Sequence, residues 1–504
     1  MQKRFTHILK PVCFSLILLL LTLLISPVLQ QKWIEYGSLG DTYVAEGFYD
    51  LEKNSIELAV MGSSQTIRSF SCMHLLENYG ISAYSPSSGT QPMACTYYYA
   101  KRLLKTQQLK AVLIDVSSLY EEVNSSQFNR VTDLAPLSLD KLALLADSSK
   151  IIMHKNGKKA AVKHLWTHLL PIIQYHDRWS DLTAADFGLT EEAPFVLRGN
   201  TSRLKIKKQK GILVKEGQID EYDLMQEDQR IYLEKTIQLF QDAGVRVTLI
   251  KTPKKDWTYT RMLGASEVAE QYGVDFLDFN TKKLFEAAGL STKKDFADQE
   301  HLNLNGALKL TDYLAEYLSD KVSFNQAVLT EKDAADLAVF HRILEQNRMV
   351  TTADPEEFLS LLDDPDYEVF VMYGTDAAEP AYRQLDGALA QAGLTGGLDA
   401  AAGVNYAAHI KGGTVEFEEL SESAVDYDTE MRNGKTVSLR CNYAKADGTT
   451  LLAGDEAAEI KNQGIHIFVF DQTRDLVQRG VTIAENSKGK LVLKTIKMTA
   501  EDEE

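Results

Sequence analysis

Cysteine is scarce in this chain: four among 504 residues, at Cys13, Cys72, Cys95 and Cys441. No two of them stand at C-x-x-C spacing, so no zinc site or thiol-redox motif is spelled out, and no disulfide framework either. Cys72 and Cys95 either pair in an oxidising compartment or serve as small buried hydrophobes. A phosphate-binding G-x-x-x-x-G-K-[ST] loop, a G-x-G-x-x-G turn and an H-E-x-x-H helix are all missing, and no internal repeat is visible. Neither a cofactor nor a metal is therefore expected. Positive charge is in deficit: the formal net charge is −17, which argues against nonspecific nucleic-acid binding. The rest of the composition is ordinary, with 44% apolar and 25% charged residues. A chain this long has room for two or three domains with full cores.

Against that background one apolar run stands out. Lys3, Arg4, His7 and Lys10 precede an uncharged stretch from Pro11 to Gln31. It is about 20 residues long, enough to cross a hydrocarbon core. The positive flank predicts that the N-terminal end stays in the cytoplasm. No A-x-A cleavage signal follows, so residues 1–32 read as a signal anchor, with a cleaved signal peptide as the alternative. Residues 33–54 read as a juxtamembrane connector, with Trp33 and Tyr36 suited to the membrane interface. The expected location is the cell membrane, single-pass, with the bulk of the chain extracytoplasmic.

Next comes a βα alternation. Apolar runs at 55–61, 81–84, 110–116, 246–251 and 274–279 predict strands, and helical spacing recurs at 66–76, 93–106, 221–243, 260–272, 281–288 and 307–318. This predicts a parallel sheet with right-handed crossovers. Met61-Gly62-Ser63-Ser64-Gln65 sits where the first strand ends and a helix begins. Ligands bind at the carboxyl ends of the strands in such sheets. A serine there either caps the helix or meets free N–H groups that can hold an oxyanion. Far downstream stands Asp298-Gln299-Glu300-His301-Leu302-Asn303. Its Asp-x-x-His spacing lets a carboxylate fold back on the imidazole and orient it, the supporting role in a serine triad.

GSS after an early strand and Asp-x-x-His before the domain's last helix together resemble the SGNH/GDSL hydrolase superfamily. The resemblance covers roughly residues 55–322. It implies a three-layer α/β domain in which Ser64 is the nucleophile, His301 the general base and Asp298 its orienter. It also implies an oxyanion hole from the N–H groups of Ser64 and Gly89, with Gln65 a candidate substrate contact. Two departures stand against the pattern: GSS replaces GDS in the first block, and Ile114-Asp115-Val116-Ser117 stands where a Gly-x-Asn block would bring the third oxyanion donor. With an N-terminal anchor, the chain resembles extracytoplasmic D-alanyl transfer proteins of teichoic-acid modification and related partners of membrane-bound O-acyltransferases.

Residues 120–225 break the alternation and read as a cap insertion. It carries Lys150, Lys155, Lys158, Lys159 and Lys163, then His176, Arg178 and Trp179, then a second basic run over 203–210. Such runs either attract an anionic polymer or lipid surface or are solvated helix faces. Arg178 is a candidate pocket residue. Ser323 to Asp333 reads as a linker. The region 334–498 reads as a smaller α/β (α+β) accessory domain, and 499–504 as an acidic, disordered tail. The stretches 464–471 and 477–481 resemble the interleukin-like epithelial–mesenchymal transition inducer domain, which implies a sugar- or partner-binding module without catalysis. His409 and His466 show no partner set in the sequence.

Two functional readings follow. One is a membrane-anchored serine esterase or O-acyltransferase acting on acyl esters of a bacterial cell-surface polymer. The other is a non-catalytic scaffold of an envelope acyltransferase complex, with a glycan-binding C-terminal domain.

Overall fold

A computed structural model describes residues 2–34, 39–187, 189, 195–220, 223–374, 380–396, 398, 403–445, 448–472 and 477–500. Tyr36, the start of the helix expected at 221 and the last four residues lie outside these. The chain divides into two compact units, Met1–Phe340 and His341–Glu504.

The first unit begins with helix α1 (Gln2–Leu29). Its Lys10–Leu29 stretch has a mean hydropathy of 2.7 and is long and apolar enough to cross a membrane. The expected connector is itself structured: α2 (Asp41–Tyr49) buries Val44, Ala45 and Phe48. Then follow β1 (Leu58–Met61), α3 (Ser64–Ser69), α4 (Cys72–Tyr79), β2 (Ala83–Tyr84), α5 (Met93–Thr106) and β3 (Ala111–Asp115). The insertion after β3 carries α6 (Asn129–Thr132), α7 (Leu139–Leu169) and α8 (Ile172–Tyr175), and the alternation then resumes with α9 (Glu227–Asp242), β4 (Arg246–Lys251), α10 (Tyr259–Tyr272), β5 (Asp275–Asp278), α11 (Lys282–Ala287) and α12 (Leu304–Ser319). The five strands form one parallel sheet in the order β2-β1-β3-β4-β5. All four residues of β1 and all five of β3 are buried. Strands covered on both faces read as continuous apolar runs rather than alternations. One core cluster packs α5 and α9 on the sheet, and a second packs α4 and α12. Gly80 ends α4 in the left-handed region at φ 64°, where glycine carries no Cβ penalty. Cys72 and Cys95 are free and buried, not bridged.

The insertion splits into two parts. α6 (Asn129–Thr132), α7 (Leu139–Leu169) and α8 (Ile172–Tyr175) form a helical cap, and α7 breaks at Gly157, whose φ is 83°. Its interior is held by polar groups. The His164 ring sits between Ser125 Oγ at 2.7 Å and Ser148 Oγ at 2.8 Å, edge-on to His168 at 4.3 Å. Burial, then the neighbouring His168, pushes the His164 pKa down to about 3. The depressed value means that protonation favours the unfolded state. Stability is therefore present above the unfolded-histidine value near 6.5 and is lost as pH falls toward 3. Between those limits His164→Asn is expected to flatten the pH dependence of unfolding by up to ~1.4 kcal/mol per pH unit relative to the parent chain, read by denaturant melts.

The second part, with the basic run over 203–210, does not belong to the cap. It lies along the loop before α12: Lys207 and Gln209 donate backbone N–H groups to Phe296 O and Thr292 O, and Leu304 N–H donates to Arg203 O. The expected linker is also a strap on the first unit. Asn325 is bonded to Glu57, Ala327 N–H to Gly80 O, and Asp333 to Arg198. The division falls instead within α13 (Glu331–Thr351).

The second unit continues with α14 (Pro355–Ser360), β6 (Tyr367–Tyr373), α15 (Asp386–Gln391), β7 (Asn405–Lys411), β8 (Thr414–Ser421), β9 (Val425–Glu430) and β10 (Thr436–Cys441). It ends with β11 (Thr450–Ala453), β12 (Glu456–Ala458), β13 (Ile465–Asp471), β14 (Gln478–Glu485), β15 (Leu491–Ile496) and β16 (Met498–Ala500). Among the described residues they make two antiparallel sheets, β15-β14-β13-β6-β7-β8 and β16-β12-β11-β10-β9. A shared core of Phe370, Met372, Phe468, Val437 and Leu439 lies between them. Two expectations change here. Thr499 pairs with Ala457 in β16 rather than opening a tail. His409 has a partner, the buried Glu368 at 3.1 Å, and stacks on Phe370.

Candidate active site

Gly62 lets the chain turn from β1 into α3, because a Cβ there would lie 2.8 Å from Thr66 Cγ2 and 2.9 Å from Asp115 Cβ. The two serines then divide the work. Ser63 is the N-cap, its Oγ accepting the Gln65 N–H at 3.5 Å. Ser64, the first helical residue, is left facing the loop before α12. Ser64 Oγ donates to His301 Nε2 at 3.0 Å. On the other side of the ring, His301 Nδ1 lies 3.1 Å from both Asp298 oxygens. A carboxylate can only accept, so Nδ1 carries the proton and Nε2 is free to accept from serine.

The loop holds this geometry by its own backbone. Ala297 N–H donates to His301 O, and Asp298 Oδ1 accepts the N–H groups of Glu300 and His301, each at 2.8 Å. Asn303 caps α12 through Gly306 N–H and donates to Lys294 O. Gly306 packs so closely that a Cβ would meet Asp295 O at 2.4 Å. Partial burial alone would raise the Asp298 carboxyl. The His301 ring and those two N–H groups outweigh it and hold the carboxyl well below the usual range.

The serine opens into a cavity of about 340 Å³ lined by Trp33, Arg68, Gly89, Arg130 and Arg203, with Asp41, Asp298 and His301. Arg130 Nη1 meets Asp41 Oδ2 at 2.9 Å, and the Asp41 side chain is 1% exposed. Arg68, one helical turn beyond Ser64, is buried. Burial, then repulsion from Arg203, lowers its pKa to about 9 despite Asp298 and Asp41.

Three expected site residues are placed differently. Gly89 lines the cavity, but its N–H is already donated to Asp41 Oδ1 at 2.7 Å and is not free for an oxyanion. Gln65 does not face the cavity; it is 3% exposed, donates to Glu300 O and accepts from Thr252 Oγ1. It ties β4 to the histidine loop. Arg178 lies outside the cavity, donating to Leu29 O and pairing with Asp186. Asp115 supplies no third donor, since its carboxylate accepts from Ser117 N–H and Thr252 N–H. Trp33 lines the cavity instead of standing as a pure interface anchor, with Arg130 over its ring at 5.6 Å.

The sequence reading missed Asp41, Arg68, Arg130 and Arg203. Only Arg68 carried a signal, its i+4 spacing from Ser64 on a helix. The others come from segments far apart in the chain. Neither family models nor curated proteins show a match to this chain.

Proposed function

We propose that this protein is a membrane-anchored serine esterase or O-acyltransferase, as its resemblance to SGNH hydrolases suggests. The observation that carries the reading is the Ser64–His301–Asp298 chain of hydrogen bonds at 3.0 and 3.1 Å. His301 takes the Ser64 proton as Oγ attacks an acyl carbonyl. The tetrahedral intermediate collapses to a Ser64 ester, and the leaving alcohol takes the proton from His301. Water or a polymer hydroxyl, deprotonated by His301, then releases the acyl group. Ser64 N–H is one oxyanion donor; Gly89 N–H becomes a second only when Asp41 moves off it. Covalent capture by a fluorophosphonate, compared between the parent chain, Ser64→Ala and His301→Ala, tests the reading.

Positive charge around the serine supports an anionic substrate or acceptor. Three arginines, Arg68, Arg130 and Arg203, line the cavity together with two carboxylates, Asp41 and Asp298. On this reading Arg203→Ala raises KM for an anionic acyl ester about 10-fold or more, the scale of one charged hydrogen bond, with little change for a neutral ester. Equal effects on both esters would remove the charge argument.

A specific observation favours the second reading, a scaffold without turnover. Asp41 occupies the Gly89 N–H and Asp115 stands in place of the third donor. On that reading the second unit supplies the function as a glycan-binding module. Absence of fluorophosphonate capture in a folded chain is its expected result.

A further inference from the structure

The C-terminal end of α1 is seated in the cap. Arg178 Nη1 donates to Leu29 O at 2.8 Å, and Leu29 is fully buried. α8 and the short helix Ala184–Phe187 both pack beside α1. Around this junction large apolar side chains stand in the open: Trp166 is 51% exposed, Ile173 45%, Trp179 58% and Phe187 55%. They come from four consecutive elements of the cap: the last turn of α7, α8, and the short helices Arg178–Ser180 and Ala184–Phe187. Such a cluster on a water-exposed surface marks a contact site.

We infer that this face of the cap lies in the interfacial zone of the bilayer leaflet from which α1 emerges. The inference rests on α1 being a membrane span, and three observations choose lipid as the occupant. Two of the elements that carry the face, α8 and Ala184–Phe187, contact α1, whose own exposed residues include Phe14, Leu19 and Leu24. Two of its members are tryptophans, the side chain that favours the headgroup level. Lys163 and Lys159 lie one and two turns back along α7 from Trp166 and are exposed. That is where a cation meets lipid phosphates above a buried tryptophan. Exposed Asp177 and Asp181 flank Trp179 and limit the contact to a shallow one.

A consequence concerns the candidate active site. Trp33 lines the Ser64 cavity and is four residues beyond Leu29. Four residues span at most ~14 Å. The docked cap therefore holds the cavity within a short reach of the membrane surface.

The test uses the full chain in vesicles of phosphatidylcholine and phosphatidylglycerol containing dibrominated phosphatidylcholine, which quenches tryptophans at the membrane. The chain has four tryptophans. Trp33→Phe removes the one at the anchor, and Trp257 is buried in the core. In that background quenching by bromolipid is expected. It should fall to baseline when Trp166→Phe and Trp179→Phe are added, with Trp257 emission reporting the fold. Flotation after a carbonate wash checks the anchor separately. A chain that floats but shows no bromolipid quenching in the Trp33→Phe background overturns the inference, leaves the anchor standing, and assigns the face to a protein partner. A chain that does not float overturns both.

Discussion

Replacing Ser64 with alanine is expected to abolish capture by a fluorophosphonate, and His301→Ala to slow it by at least about 10³-fold. The expectation follows from the geometry. Among the described residues the basic neighbour bonded to Ser64 Oγ is His301 Nε2, at 3.0 Å. Without it the hydroxyl keeps its proton at neutral pH and is a poor nucleophile. Asp298→Asn separates orientation from charge. The amide can donate to Nδ1, which turns the proton to Nε2 and sets the wrong tautomer toward serine. A loss of about 10²–10⁴-fold is expected, smaller than that of removing the ring. Denaturant melts separate lost chemistry from a folding defect: at these part-exposed positions Ser64→Ala and His301→Ala should keep the parent's stability to within about 1 kcal/mol. The Asp298→Asn rate is compared without denaturant, at a pH where its melt shows the chain folded. Capture that persists in Ser64→Ala places the nucleophile elsewhere and sinks the proposed mechanism.

Much of that site was legible before the structure because two segments carry it, and each is locally coded. The Asp-x-x-His loop folds back on itself within four residues, so spacing alone brings Asp298 to His301. The buried strands of a parallel sheet read as bare apolar runs, so the ends of Leu58–Met61 and Arg246–Lys251 could be placed. The choice between Ser63 and Ser64 could not be made from propensity, since either caps a helix well; the turn at Gly62 makes it. The environment of the serine was not legible. Asp41, Arg130 and Arg203 come from a presumed connector, a presumed cap and a basic run that looked like surface. Their meeting depends on how α2 packs and how residues 203–209 thread past the histidine loop. Short polar strands such as Glu456–Ala458 were missed for a similar reason. Their partners in the sheet, not their own side chains, hold them.

Arg130→Ala is expected to destabilise the first unit by about 3 kcal/mol, because it leaves the buried Asp41 carboxylate without its cation. Burial already raises that carboxyl, against the pull of Arg130 and of the Gly89 N–H. With Arg130 gone the ionised form becomes costlier still. The loss should therefore be largest above the raised value and shrink as pH falls and the acid turns neutral. Asp41→Ala is not the mirror image. Arg130 is 32% exposed and can turn to water, so only one hydrogen bond to Gly89 N–H is lost, about 1 kcal/mol. The same substitution uncovers the Gly89 N–H beside Ser64. If that N–H is an oxyanion donor held in reserve, Asp41→Ala should label faster than the parent chain while melting earlier. If Asp41 is a structural group in a scaffold, it should melt earlier with no gain in labelling. Measuring both variants by melting and by labelling rate thus separates what the Asp41–Arg130 pair does for the fold from what it withholds from the serine.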